Sequence, residues 1–175
     1  MGDHLVHSKF GRKERLDFAS HLLSDIAALD RMLEEGLIEK DIVRIGAEQE
    51  FCLVGNDWRP SKNAEAILNN IDDPHFTTEI AKFNLEINLD PIKLEGRAFS
   101  KIETQLTHLL TKASKIANDQ NSKIILTGIL PTISYGDLKL ASMTNATRYF
   151  LLNDRLKYLK GGDFLIHLSG VDELT

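Results

Sequence analysis

The stretch Val43-Arg44-Ile45-Gly46-Ala47-Glu48-Gln49-Glu50-Phe51-Cys52-Leu53-Val54 alternates in polarity along its length. Val43, Ile45, Ala47, Phe51 and Leu53 share one parity, and Arg44, Gly46, Glu48, Glu50 and Cys52 share the other. Successive side chains leave a strand on opposite sides, so a period of two marks a strand with one apolar and one polar face. A second stretch, Ile80 to Leu89, repeats the pattern, with Ala81, Phe83, Leu85, Ile87 and Leu89 opposed to Lys82, Asn84, Glu86 and Asn88. Asp90-Pro91 closes it. Strands of a parallel sheet are buried on both faces and read as unbroken apolar runs. These strands have a clean polar face instead. The expected fold is therefore α+β: an antiparallel sheet with helices packed on one face and an open polar face carrying carboxylates.

Working outward, Phe10, Leu16, Phe18, Leu22, Leu23, Ile26, Leu29, Met32 and Leu33 recur at helical spacing, and Gly36 falls where a helix would close. Ala64 to Ile71 predicts a short helix with Ser61 as its cap, ended by Asp72-Asp73-Pro74. Ser100-Lys101-Ile102-Glu103 has the form of a capping box. It opens a helix whose inner stripe is Ile102, Leu106, Leu109, Leu110, Ala113, Ile116 and Ala117. Lys123 to Leu130 predicts a core strand closed by Pro131, and Asn145 caps a helix running to Lys160, with Gly161-Gly162 as its stop. Phe164 to Leu168, which holds His167, predicts another strand. No repeat or Gly/Ser linker divides the chain. The reading is one unit over 1–175, with a helical lead-in at 1–40 and a sheet and helix core at 41–175.

Composition bounds the function. The 175 residues are 42% hydrophobic and 27% charged, with a formal charge of −5, which is globular and slightly acidic. That balance argues against a nucleic-acid surface, which needs clustered Lys and Arg. No apolar run approaches a membrane span and Met1 to Arg15 lacks the apolar core of a signal peptide, so a cytoplasmic location is expected. Cys52 is the one cysteine; it cannot form a disulfide within the chain, and no basic neighbour in sequence activates it.

The chemistry is expected on the polar face. Glu48 and Glu50, two apart on one strand, project from the same side about 7 Å apart and repel unless something positive lies between them. If the second strand pairs with the first, Glu86, Asn84 and Asn88 join the same patch. Oxygen ligands without His or Cys suit Mg²⁺ or Mn²⁺, the usual partners of nucleotide phosphates. The competing reading is a solvated sheet face with Lys82 and Arg44 as cross-strand partners of the glutamates.

Three segments, in order, resemble the glutamate–cysteine ligase and carboxylate–amine ligase family, which is related to glutamine synthetase. Gly46-Ala47-Glu48-Gln49-Glu50-Phe51 is similar to its G-x-E-x-E strand. Glu79-Ile80-Ala81-Lys82-Phe83-Asn84-Leu85-Glu86-Ile87-Asn88-Leu89-Asp90-Pro91 resembles its second strand, and Met143-Thr144-Asn145-Ala146-Thr147-Arg148-Tyr149 resembles an element near its substrate site. The resemblance implies a partial glutamine synthetase-like catalytic fold in which Glu48, Glu50, Glu79 and Glu86 hold the metal. Glu79 has the wrong parity to share a face with Glu86 on one strand, so a turn or bulge must redirect it. Arg148 and Tyr149 would border the substrate.

The activity implied is an ATP-dependent ligation, of the kind used in glutathione biosynthesis. ATP phosphorylates a carboxylate such as that of glutamate, and an amine then displaces phosphate to give an amide. Partners would be small molecules (ATP, glutamate or a similar carboxylate, an amine), with Mg²⁺ or Mn²⁺ as cofactor and homo-oligomer contacts through an exposed sheet edge. In the family, later strands bring further side chains to the nucleotide, so the expectation is an N-terminal portion of a catalytic domain, inactive by itself. The alternative is a non-catalytic regulatory or nucleotide-binding domain that keeps the scaffold.

Overall fold

The sheet expected from the two alternating stretches is present in the computed structural model, which describes residues 11–162. The readings at Phe164 to Leu168 and His167 lie outside the described residues. In chain order the elements are α1 (Arg12–Glu34), β1 (Arg44–Ile45), β2 (Glu48–Val54), α2 (Ala64–Ile71), β3 (Phe76–Thr78), β4 (Asn84–Asn88), β5 (Ile92–Lys93), α3 (Ala98–Asp119), β6 (Lys123–Ile125) and α4 (Thr147–Lys160). The fold is α+β with antiparallel pairing throughout: a four-stranded sheet in the order β3-β4-β2-β6, and a separate β1-β5 pair.

The alternation decides which side of the sheet is buried. Phe51 and Leu53 of β2, Leu85 and Ile87 of β4 and Phe76 of β3 form one core with Ala64, Ile67 and Ile71 of α2 and Leu109, Ala113 and Ala117 of α3. Helices thus cover the apolar face, as the period of two requires. Ile102, Leu106, Leu110 and Ile116 pack at the margin of this core, which matches the expected inner stripe of α3.

Both long strands are shorter than expected. The first breaks at Gly46-Ala47 into β1 and β2 because the ladder slips there. Arg44 and Ile45 pair with Lys93 and Ile92, whereas Glu48 pairs with Asn88, leaving one extra residue on the Leu89–Pro91 side. Pro91 has no N–H to give to a ladder, which accounts for the interruption. The second stretch is strand only from Asn84. Ile80 to Phe83 form a turn after β3, a three-residue strand too short to leave a period in the sequence.

Smaller corrections concern helix starts. Asn63, not Ser61, precedes α2, and the Ser61 hydroxyl donates to Asn63 Oδ1. α3 begins at Ala98 with Arg97 before it, so Ser100 lies inside the helix and caps nothing. Ala146, not Asn145, precedes α4. The stops read correctly: Gly36 (φ 68°) and Gly161 (φ 75°) take the left-handed conformation that glycine allows without penalty. β6 ends at Ile125, and Leu130 packs instead on Cys52 and Val54 in a second, small core.

By its contacts the chain divides into two compact units, one of residues 30–144 and one of residues 1–29 with 145–175. The first holds all six strands with α2 and α3; the second holds α4 and most of α1. Among the described residues, no helix is long and apolar enough to cross a membrane.

Candidate metal centre

The polar face of β2 and β4 is assembled by register. Glu50 stands opposite Glu86, Glu48 opposite Asn88 and Cys52 opposite Asn84. On the other side of β4, Thr77 of β3 faces Glu86. Continuing that register by two residues brings Glu79, just past the end of β3, beside Asn84 and onto the same face. This resolves the parity of Glu79. It shares a face with Glu86 because a turn separates them and they belong to adjacent strands.

Glu50, Glu79 and Glu86 each offer a carboxylate oxygen, and the three oxygens lie within 4.8 Å of one another. Glu48, one step further along β2, is exposed and outside this group. Glu79 is the most constrained of the three. Its Oε2 accepts from the Ile80 N–H at 3.0 Å, and its carbonyl accepts from the Thr144 hydroxyl. The segment before α4 is tied to the same turn: Lys82 N donates to Ser142 O, Thr144 N donates to Ile80 O, and Ala81 bridges Met143.

The electrostatics are those of a crowded acidic site. Burial, a hydrogen bond with Glu86 and the nearby charges of Glu50 and Glu86 raise the Glu79 pKa above its ordinary value. The cations expected to neutralise the face are engaged elsewhere. Arg44 forms a two-pronged pair with Glu39 at 2.6 and 2.7 Å, and Lys82 Nζ donates to the Ala141 carbonyl at 2.9 Å. Among the described residues no Lys or Arg pairs with Glu50, Glu79 or Glu86. A solvated face balanced by cross-strand cations therefore lacks its cations.

Two amides flank Glu86. Asn88 Nδ2 donates to Glu86 Oε1 at 2.6 Å, while the Oδ1 atoms of Asn84 and Asn88 are buried and have no hydrogen-bond partner among the described residues. An unpaired buried acceptor costs about 1–3 kcal/mol. The three carboxylates offer oxygen ligands only, with no His or Cys among them, and that chemistry fits a hard divalent cation.

Cys52 shares the polar parity but is buried under Leu130. Burial, and then the charge of Glu50, push its thiol pKa up, so it stays protonated and unreactive. Arg148 and Tyr149 lie in the first turn of α4, in the other unit. The Arg148 guanidinium stacks on the Tyr149 ring at 4.7 Å and donates to its hydroxyl at 2.7 Å. Its buried Nε has no partner among the described residues.

A network that the sequence reading missed lies around the β3 end of the sheet. His75 bonds Asp73 through Nδ1 at 2.7 Å and Asp90 through Nε2 at 3.1 Å, and Lys112 of α3 donates to Asp73 at 2.7 Å. Asp73 and His75 flank Pro74, but Asp90 and Lys112 lie 15 and 39 residues from their partners, so the sequence pattern does not bring the four together. No family model, curated protein or solved structure matches this chain.

Proposed function

We propose that this chain is the metal-binding portion of an ATP-dependent carboxylate–amine ligase of the glutamate–cysteine ligase type, on a glutamine synthetase-like sheet. The observation that carries this reading is the convergence of Glu50, Glu79 and Glu86 within 4.8 Å, with no Lys or Arg paired to them among the described residues. Glu50, Glu79 and Glu86 would hold Mg²⁺ or Mn²⁺, and Glu48 would reach it only at the margin. A bound divalent ion supplies charge neutralisation for nucleotide phosphates. The resemblance of the three segments supports the choice of ligase over other phosphoryl-transfer chemistry.

In the reaction proposed, a substrate carboxylate takes the γ-phosphoryl group of ATP and ADP leaves. An amine then attacks the acyl carbon, phosphate departs, and the amine loses a proton. The chain's own contribution is to hold the oxygen ligands together at one spot, where a bound cation would offset their mutual repulsion. Arg148 and Tyr149 belong to the other unit, and it is the resemblance alone that gives Arg148 an anionic substrate group to meet and sets Tyr149 beside it.

The test is an assay of ADP and phosphate release with ATP, Mg²⁺, glutamate and a panel of amines, alongside calorimetric binding of Mn²⁺ and MgATP. For this chain by itself the expected result is binding of Mn²⁺, and of MgATP in a manner that chelation abolishes, with no release; release that needs both the carboxylate and an amine would show a complete ligase rather than a portion of one. Nucleotide binding that survives chelation, with no release for any amine, would instead support a non-catalytic nucleotide-binding domain.

A further inference from the structure

α1 leaves an apolar stripe in solvent. Ala19, Leu22, Ile26, Leu29 and Leu33 recur at alternating steps of three and four, the a/d spacing of a coiled-coil seam. No residue of α1 is buried, and Leu22, Ile26, Leu29 and Leu33 are 46%, 55%, 50% and 52% exposed. A helix packed on its own core would hide this stripe. Leu16, Phe18 and Leu23, also exposed, widen it into the kind of contiguous patch that marks an interaction site.

Charge says what covers it. The N-terminal end of α1 carries Arg12, Lys13 and Arg15 against Glu14 and Asp17, while the C-terminal end carries Asp30, Glu34 and Glu35 against Arg31. Two copies side by side in parallel would set like ends together; antiparallel, each basic end meets an acidic one. The seam agrees. With Ala19, Ile26 and Leu33 at a and Leu22 and Leu29 at d, a two-fold axis near residue 24 layers Ile26 on the second copy's Leu22. It also sets the small Ala19 against the second copy's Leu29. Opposed helix dipoles favour the same arrangement.

We propose that α1 pairs antiparallel with α1 of a second copy of this chain, making a homodimer whose seam is independent of the carboxylate face. Two contacts oppose it: Glu14 falls opposite Glu34 of the second copy, and Asp25 lies beside the axis near its counterpart, so Asp25→Asn tightens the dimer. The proposal does not rest on the ligase reading and stands or falls separately from it.

Sedimentation velocity of the full chain over a wide concentration series tests it. The expected result is a monomer–dimer equilibrium that Ile26→Asp abolishes. Because Ile26 is exposed in the single chain, far-UV circular dichroism and the melting temperature at low concentration should not change. Lys13, which this register sets opposite Glu35 of the second copy, tests the charge pairing: Lys13→Glu or Glu35→Lys weakens the dimer, and combining both reversals restores it. For orientation, Leu22→Cys mixed with Ile26→Cys cross-links, whereas either variant alone does so poorly. A monomer at every concentration overturns the proposal, as does a dimer indifferent to Ile26→Asp, which would place the contact at a sheet edge. Efficient cross-linking of Leu22→Cys with itself overturns the antiparallel arrangement.

Discussion

Glu50 and Glu86 stand directly opposite one another across the β2–β4 ladder, in the middle of the sheet's polar face. Like charges so placed destabilise an antiparallel pair. Glu79 adds a third carboxyl to the same spot from β3's end, and no Lys or Arg among the described residues pairs with any of the three. The sheet tolerates this because the reverse faces of the same strands are anchored: Phe51, Leu85 and Ile87 are almost fully buried. The hydrophobic side therefore supplies the stability that holds the acidic side together.

The first prediction follows directly. Glu50→Gln or Glu86→Gln removes one of the opposed charges at nearly constant volume, so without metal the melting temperature should stay or rise. Mn²⁺ should raise it in the wild type, by mass action, with about 2.7 kcal/mol at a hundredfold excess over Kd. Both variants should lose most of that gain, and Glu48→Gln should lose less because it lies outside the group. Thermal shift with Mn²⁺ against NaCl of equal ionic strength reads the difference. Equal Mn²⁺ gains in wild type, Glu50→Gln and Glu86→Gln would falsify the metal centre.

The pair Glu50 and Glu86 was legible in the sequence because period-two alternation sets the face of every residue in a strand, and pairing two such strands leaves little choice. The position of Glu79 was less legible. Its strand, Phe76–Thr78, has only three residues, and the turn that reverses it carries no strong Gly or Pro signal between Glu79 and Phe83. The break at Gly46 depended on a ladder slip opposite Pro91, a relation between strands that neither strand reveals alone. α1 shows the limit of amphipathic reasoning: spacing says that a face needs cover, but not that its own core supplies it.

The pH dependence of the metal effect should carry the signature of Glu79. Its pKa is raised above the ordinary 4.5, so between that value and its folded pKa the native state holds more protons than the unfolded chain. Stability contributed by this group therefore falls as pH rises through that window. A cation needs the carboxylate ionised, so the Mn²⁺ gain should be small near about pH 4.5 and grow toward about pH 8. Glu79→Gln should flatten both trends. A gain independent of pH would remove Glu79 from the ligand set.

Titration of His75 should report the network at the sheet's end. Bonds to Asp73 first and Asp90 second raise its pKa above 6.5, while Asp73, held mainly by Lys112 and also by His75, lies well below the usual carboxylate range. Stability from His75 is present below its unfolded pKa and is lost as pH rises through the folded value. Stability from Asp73 is present above its unfolded pKa and is lost as pH falls toward the folded one. The network should thus support the fold best in mildly acidic solution. NMR titration should place His75 above 6.5 in wild type and nearer to it in Asp73→Asn. No change between the two would mean that the contact is absent in solution.

Adjacent residues of β4 should behave oppositely, because they leave the strand on opposite faces. Leu85 is fully buried between the sheet and its helices, so Leu85→Ala opens a cavity in a core that cannot easily collapse. Such a change typically costs about 2–5 kcal/mol, a large share of the stability of a domain this size. Its neighbour Glu86, changed to Gln, removes charge from a repulsive cluster and should cost nothing without metal. The two effects should be readable in one series of urea melts, with Leu85→Ala lowering the midpoint and leaving the slope unchanged, and Glu86→Gln holding or raising it. The metal series then separates them again. Leu85→Ala keeps every ligand and should retain the Mn²⁺ gain on its lowered baseline, whereas Glu86→Gln should lose it. If Leu85→Ala proved neutral, or if Glu86→Gln were the more destabilising of the two, the division of the sheet into a structural face and a chemical face would be wrong.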